Sequence, residues 1–113
     1  MTLDELRRQS GAVIVADHQG LVTEVNAAFE RLFGWSSAEI KGKPLTTIIP
    51  PSFHDSHHLG FSRFLTTGKP TLLNQPLKLK AITKDGREFE AEHFIVAEQV
   101  GGQWCFGATI RPC

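Results

Sequence analysis

Three of the five histidines in this chain lie in one short segment, from Ser52 to Gly68. At 100° per residue, a helix would place His57, Phe61 and Phe64 on one stripe. An imidazole on such an apolar, phenylalanine-rich face either packs in a core or meets a molecule inside a pocket. His57 is therefore the first candidate site residue, and the segment is predicted to be helical.

The spacing of the same histidines also raises the question of a non-heme metal site. His54 and His57 are three residues apart, which would place both rings on one side of a helix. A closed zinc site needs further ligands from elsewhere in the chain, and no suitable pair stands out. His54 and His58 are therefore interpreted as solvated side chains.

A second unusual histidine lies in a strand-like segment at residues 87–97, REFEAEHFIVA. Alternation places Phe89, Ala91, His93 and Ile95 on one face and the glutamates on the other. An inward imidazole needs a partner, because burying it unpaired would cost on the order of 1–3 kcal/mol. Its interpretation stays open between a core histidine that has a hydrogen-bond partner and a histidine that contacts a bound ligand.

The elements that must position these residues begin with an N-terminal helix or lead-in at residues 1–10. Thr2 and Glu5 there have the spacing of a capping box. The main domain is predicted to occupy residues 11–113, and its first part, residues 11–26, reads as an antiparallel hairpin.

Two short helices are predicted after this hairpin. Asn26 is a helix N-cap, and Gly34 ends that helix. Ser36 and Glu39 then form a second capping box.

The C-terminal part of the chain is predicted to form three strands. The pattern becomes strand-like from Thr71, and turn signals follow at residues 84–86 and 101–102. The order is thus two strands, several short helices and three strands. It predicts an α+β fold with a five-stranded antiparallel sheet and the helices packed on one face.

Composition excludes several classes of function. The 12 basic and 12 acidic side chains balance, so neither nucleic acid nor an anionic membrane is an expected partner. The longest apolar run, residues 12–16, is too short to cross a bilayer. Cys105 and Cys113 have no redox or metal spacing, and no enzyme motif is present. We expect a cytoplasmic, non-catalytic domain.

Several local sequences, in this order, resemble the PAS domain family over roughly Ala12 to Ile110. They are VADHQGLVTEVN, NAAFERLFGW, EIKGKPL, the histidine segment ending in TTG, and KDGREFEAE. The resemblance implies a PAS fold and a signal-input module, often a homodimer, whose output domain belongs to the same signalling protein. Such proteins include the histidine kinases of two-component systems. The family commonly ends its last strand in Asp-x-Thr, whereas IRPC stands here.

The segment HHLGFSRFLTTG is similar to the long helix of heme-binding PAS oxygen sensors of the rhizobial kinase type. This resemblance places His57 at the proximal iron ligand of heme b, followed by Arg63 and Phe64 at matching positions. A neutral imidazole on an apolar wall is a good axial ligand for heme iron. With heme, His93 is open as a second axial ligand or as a donor to another bound ligand. An arginine that contacts bound oxygen in those sensors lines up with Leu77, so ligand recognition is expected to differ. The predicted cofactor-binding residues are His57, Phe61, Phe64, Leu72, Leu77, His93 and Ile95.

Alternatives without heme remain open. His57 is also explained by packing within a PAS domain that serves only in dimerisation. A third interpretation is a pocket for a small metabolite or a non-covalent flavin, on which Trp35 or Trp104 would stack. The reactive cysteine motif of light-sensing relatives is missing from this sequence.

Overall fold

The computed structural model describes residues 2–53 and 76–113. Five strands form one sheet, and they are β1 (Ala12–Ala16), β2 (Val22–Val25), β3 (Pro76–Ile82), β4 (Glu88–Val100) and β5 (Gln103–Pro112). The helices are α1 (Leu3–Arg7), α2 (Ala27–Phe33) and α3 (Ser37–Ile40), with 3-10 turns at Leu45–Ile48 and Pro51–Phe53. All strand pairs are antiparallel, so the predicted sheet is confirmed.

The strands lie in the order β2-β1-β5-β4-β3. The first strand therefore pairs with the last, with Ala12 opposite Ile110 and Ala16 opposite Phe106. Among the described residues, no helix is long and apolar enough to cross a membrane.

Most of the helices cover one face of the sheet, which we call the inner face. Phe29 and Phe33 of α2 stack with their ring centroids 4.5 Å apart, and both are buried. They pack in one core cluster with Ile40 of α3 and with sheet residues such as Ile14 and Ile110. The inner face therefore carries the larger of the two apolar clusters.

Asn26 joins the first hairpin to α2 through its side-chain amide. Its Oδ1 accepts hydrogen bonds from the backbone N–H groups of Phe29 and Val13, both at 3.0 Å. Its Nδ2 donates to the carbonyl of Gly11 at 2.8 Å. The predicted N-cap is confirmed, and the same side chain also fixes the start of β1 against the start of the helix.

The opposite, outer face of the sheet is covered in part by α1. Thr2 and Glu5 form the predicted capping box, and Leu3 and Leu6 are buried against the sheet. These two leucines form a second apolar cluster, whose sheet members are Val13, Val15 and Val96. The sequence pattern predicted helices on one face, and the structure adds this short helix on the other.

Gly107 is the place where α1 comes closest to the sheet. A Cβ atom built at Gly107 would lie 2.7 Å from Cδ2 of Leu3 and 2.7 Å from Cδ2 of Leu6. Real Cβ atoms do not approach other atoms this closely, so a side chain at this position would force the two buried leucines to shift.

We expect Asn26→Ala to lower the free energy of unfolding by about 2–3 kcal/mol, because it removes a helix cap and two further hydrogen bonds. Asn26→Asp keeps an oxygen that can accept both backbone N–H groups and loses only the donor, so its cost should be smaller. Urea denaturation of both variants tests this order. Equal losses for alanine and aspartate would contradict the assigned bonds.

We expect Gly107→Ala to cost about 1–3 kcal/mol through overpacking against the two leucines. Gly11→Ala is the matched control, because no atom lies within 4 Å of a Cβ built there. Urea denaturation should show a loss only for the Gly107 variant. Equal stability of the two variants would mean that α1 does not sit at this depth.

Candidate ligand-binding face

The inner face of β4 presents the residues that the sequence pattern assigned to a pocket. The register places His93 opposite Leu77 of β3 on one side and opposite Ile110 of β5 on the other. Strand alternation puts Ala91 and Ile95 on the same face, two residues before and after it. We call these five residues the inner wall, and four of them are aliphatic.

His93 is the polar member of this wall. Only 7% of its surface is exposed, and its Nε2 atom is buried with no hydrogen-bond partner among the described residues. Burial lowers the pKa of the imidazole from 6.5 to about 4, because desolvation disfavours the charged form. The ring is therefore neutral at pH 7. No residue of the described ranges gives its Nε2 the hydrogen-bond partner that a core histidine normally has.

The other predicted pocket residues divide into two groups. Leu77 and Ile95 are half-buried on strands, and both belong to the inner wall. Four further residues lie outside the described part of the chain, and they are His57, Phe61, Phe64 and Leu72. Their assignment to a pocket stays a prediction, as do the predicted helix after Phe53 and the solvated state of His54 and His58.

Ile110 belongs to the inner wall although the sequence analysis did not assign it to the site. It lies opposite His93 only because β5 pairs with β4 in this register. Its alternation with Ala108 was visible in the sequence and marks an apolar strand face. Nothing in that pattern indicates which residue of another strand it will meet.

Trp35 lies beside the inner core rather than in the wall. It packs against the cluster formed by α2 and α3, and its Nε1 is buried without a partner among the residues described. The ammonium groups of Lys43 and Lys84 lie 5.6 and 5.3 Å from the centre of the ring. The ammonium group of Lys84 also forms a salt bridge with the carboxylate of Glu39. The hydrogen bond from Lys84 is the largest cause, and the hydrogen bonds from Ser36 the next, that lower the pKa of Glu39 to about 2. Packing and cation–π contacts thus account for the position of this ring.

A solvent-open groove of about 530 Å³ lies at the end of α2, away from the inner wall. Its lining residues are Arg31, Leu32, Phe33, Gly34, Thr83, Lys84, Asp85 and Arg87. It contains none of the predicted site residues. Its cations stand beside the negative end of the α2 dipole, an arrangement that stabilises the helix without any ligand.

Within residues 2–53 and 76–113, no group of three His, Cys, Asp or Glu side chains lies close enough to hold a metal ion. Both cysteines are free thiols, Cys105 half-buried on β5 and Cys113 exposed. The chemistry that the described inner wall offers is thus one neutral imidazole in apolar surroundings.

The burial of His93 makes stability depend on pH. Between pH 6.5 and about 4 the unfolded imidazole takes up a proton that the folded one does not, so acid favours the unfolded chain. From this group we expect a loss of about 3 kcal/mol in the free energy of unfolding as the pH falls through that window, and no change above it. His93→Leu should lack this part of the loss.

Urea denaturation at several pH values measures the difference between the two proteins. His18→Leu, in the β1–β2 turn, is the control that removes an imidazole elsewhere. The same acid loss in His93→Leu as in the unaltered chain would show that His93 titrates normally when folded.

Comparison with known proteins gives two informative relatives. The chain is 39% identical over 101 residues to an uncharacterised protein of Azorhizobium caulinodans, covering 88% of this chain and 14% of that protein. It is 31% identical over 100 residues to the sensor protein FixL of Bradyrhizobium diazoefficiens, covering 88% of this chain and 20% of that protein. The chain thus spans a fifth or less of the length of these curated relatives.

Solved structures show the same fold at low sequence identity. The PAS domain of a protein from Colwellia psychrerythraea superposes with a TM-score of 0.76 at 17% identity, covering 98% of this chain and 92% of that one. A light-oxygen-voltage domain studied with a flavin analogue gives a TM-score of 0.74 at 16% identity, covering 98% and 83%. The family model described as PAS fold matches residues 6–112, and this chain therefore belongs to the PAS family.

Proposed function

We propose that this chain is the signal-input domain of a larger signalling protein, and that it senses a small ligand or a redox state inside an apolar pocket. We place this pocket in front of the inner wall, on the side to which His93 points. The chain itself carries no catalytic step in this proposal. Any enzymatic output would belong to another domain.

The relatives support a sensory function. PAS domains are regulatory input domains, and one relative with 31% identity is named a sensor protein. Because the chain spans only 20% of that protein, the relative also supports a separate output region. By analogy, we place the domain in a cytoplasmic two-component system, where it would act as a homodimer.

The observation that carries the proposal is the buried Nε2 atom of His93, for which the described residues provide no hydrogen-bond partner. A leucine at this position would pack against Leu77 and Ile110 without leaving a polar atom unsatisfied. Holding an unpaired buried nitrogen instead costs on the order of 1–3 kcal/mol. A bound molecule that pairs with Nε2 offsets that cost, so the residue is better explained by binding than by stability.

Heme b is the cofactor that we propose for the pocket. Imidazole nitrogen is a preferred ligand of heme iron, and an apolar wall suits a porphyrin. The described inner wall is compatible with a porphyrin, since four aliphatic side chains surround a neutral, buried imidazole that can contact a bound molecule through Nε2. His57 would hold the iron, and Phe61, Phe64, Leu72, Leu77 and Ile95 would line the site. Bound heme would supply the binding of a gas or a change of oxidation state.

Signal transfer would use the packing of the helices on the sheet. A ligand shifts the equilibrium between two arrangements of the helices on the sheet only by the difference in its affinity for those two arrangements. β5 carries Ile110 of the inner wall. It pairs with β4 along its length and with β1 from Phe106 to Ile110. A shift at the wall therefore acts directly on the strands that support α1 on the outer face.

We expect the purified protein to bind added hemin and to give a Soret band that moves on reduction with dithionite. His57→Ala should abolish heme loading, because it removes the axial ligand. His58→Ala is the matched control from the same segment and should load heme normally. Absorption spectra of the three proteins provide the measurement.

Two results would count against parts of this proposal. Equal loading of His57→Ala would show that another residue holds the iron. A featureless spectrum of the unaltered protein would remove heme and leave a metabolite-binding or purely dimeric PAS domain. Sedimentation velocity on a dilution series tests the dimer separately from the cofactor.

A further inference from the structure

We infer that His93 is the hydrogen-bonding contact between the sheet and the sensed molecule, through Nε2, and that this molecule is small, uncharged and apolar apart from the atom that meets the imidazole. This inference rests on the proposed function, since it specifies how the same pocket recognises its ligand. An iron-bound diatomic gas and a free metabolite with one polar atom share this chemistry.

The first step of the argument is the position of Nε2. The atom is sealed from solvent, and no described residue offers it a hydrogen bond. Its cross-strand neighbours, Leu77 and Ile110, have no polar side-chain atoms and cannot become partners by changing rotamer. The partner must therefore come from outside the inner wall.

The second step concerns charge. The acidic residues of β4 nearest to His93 in sequence are Glu90 and Glu92, and strand alternation places both side chains on the outer face. There they lie opposite Lys80 and Lys78 of β3. Glu92 also pairs with Arg111 at 2.8 Å. The inner wall holds no charged side chain, so an ionic ligand would meet no counter-charge there and would lose its hydration.

The third step concerns the state of the ring. A neutral imidazole offers Nε2 either as a donor or as an acceptor, according to its tautomer. It therefore binds a polar atom without a charge and without a change of protonation at pH 7. The surrounding leucine, alanine and isoleucine side chains select the apolar remainder of the ligand by packing.

The experiment uses protein loaded with hemin, reduced and exposed to carbon monoxide, and compares the unaltered chain with His93→Leu and His93→Gln. A hydrogen bond to the bound gas lowers the C–O stretching frequency, which infrared spectroscopy reports directly. We expect the unaltered protein and the glutamine variant to share the lower band and the leucine variant to move to a higher one. The dissociation constant for carbon monoxide should rise about fivefold in His93→Leu, the equivalent of one hydrogen bond.

Controls separate this effect from damage to the fold. His93→Leu without ligand should unfold at a higher urea concentration than the unaltered protein, since it no longer buries an unpaired nitrogen. His18→Leu should leave the C–O band unchanged. An identical band in His93→Leu overturns the inference, and so does a reduced heme whose sixth ligand is His93 itself, since the ring would then bind iron instead of the gas.

A separate experiment tests the inference if the protein does not bind heme. If the unaltered protein takes up no hemin, heme is removed from the proposed function. The Nε2 resonance of His93 is then compared, in protein labelled with ¹⁵N-histidine, before and after bound molecules are stripped by unfolding and refolding. A shift in that resonance supports a metabolite as the ligand. An unchanged resonance overturns the inference, and His93→Leu provides the assignment.

Discussion

The pairing of β1 with β5 is the contact on which the arrangement of this domain depends. It joins Ala12 to Ile110 and Ala16 to Phe106, residues separated by most of the chain. Closing so long a loop costs conformational entropy that local hydrogen bonds do not return. Burial of apolar surface offsets this entropy cost, because β1 and β5 carry apolar side chains on both faces of the sheet. Every residue of β1 is buried for this reason.

The two faces of the sheet are filled in different ways. The inner face is covered by α2 and α3. Phe29 and Phe33 of α2 stack on each other, and together with Ile40 of α3 they fill the larger core. The outer face receives α1, which can seat closely because Gly107 has no side chain. Beyond that helix the outer face carries the cross-strand charges of Lys78, Glu92 and Arg111. The larger apolar cluster of the described residues therefore lies on the inner side, as does His93.

Strand alternation in the sequence predicts only part of the environment of His93. Alternation along β4 was enough to predict that the imidazole points inward among apolar residues. The same pattern left open whether a core partner satisfies it, because a partner comes from another strand or helix. The structure narrows that question, since the opposing residues prove to be Leu77 and Ile110 and the described residues supply no partner. The assignments of His57 and its neighbouring phenylalanines remain at the level of the sequence.

The sequence by itself determined the local elements of this protein. The caps at Thr2, Asn26 and Ser36 and the helix end at Gly34 act within a few residues, so their chemistry is legible from type and spacing. The five strands and their alternation are local in the same sense. Only the tertiary structure decided the strand order, the outer position of α1 and the residues that face His93. These features depend on contacts between segments that are far apart in sequence. Such contacts are stabilised by the apolar surface that the two segments bury together, and the pattern of either segment alone does not reveal it.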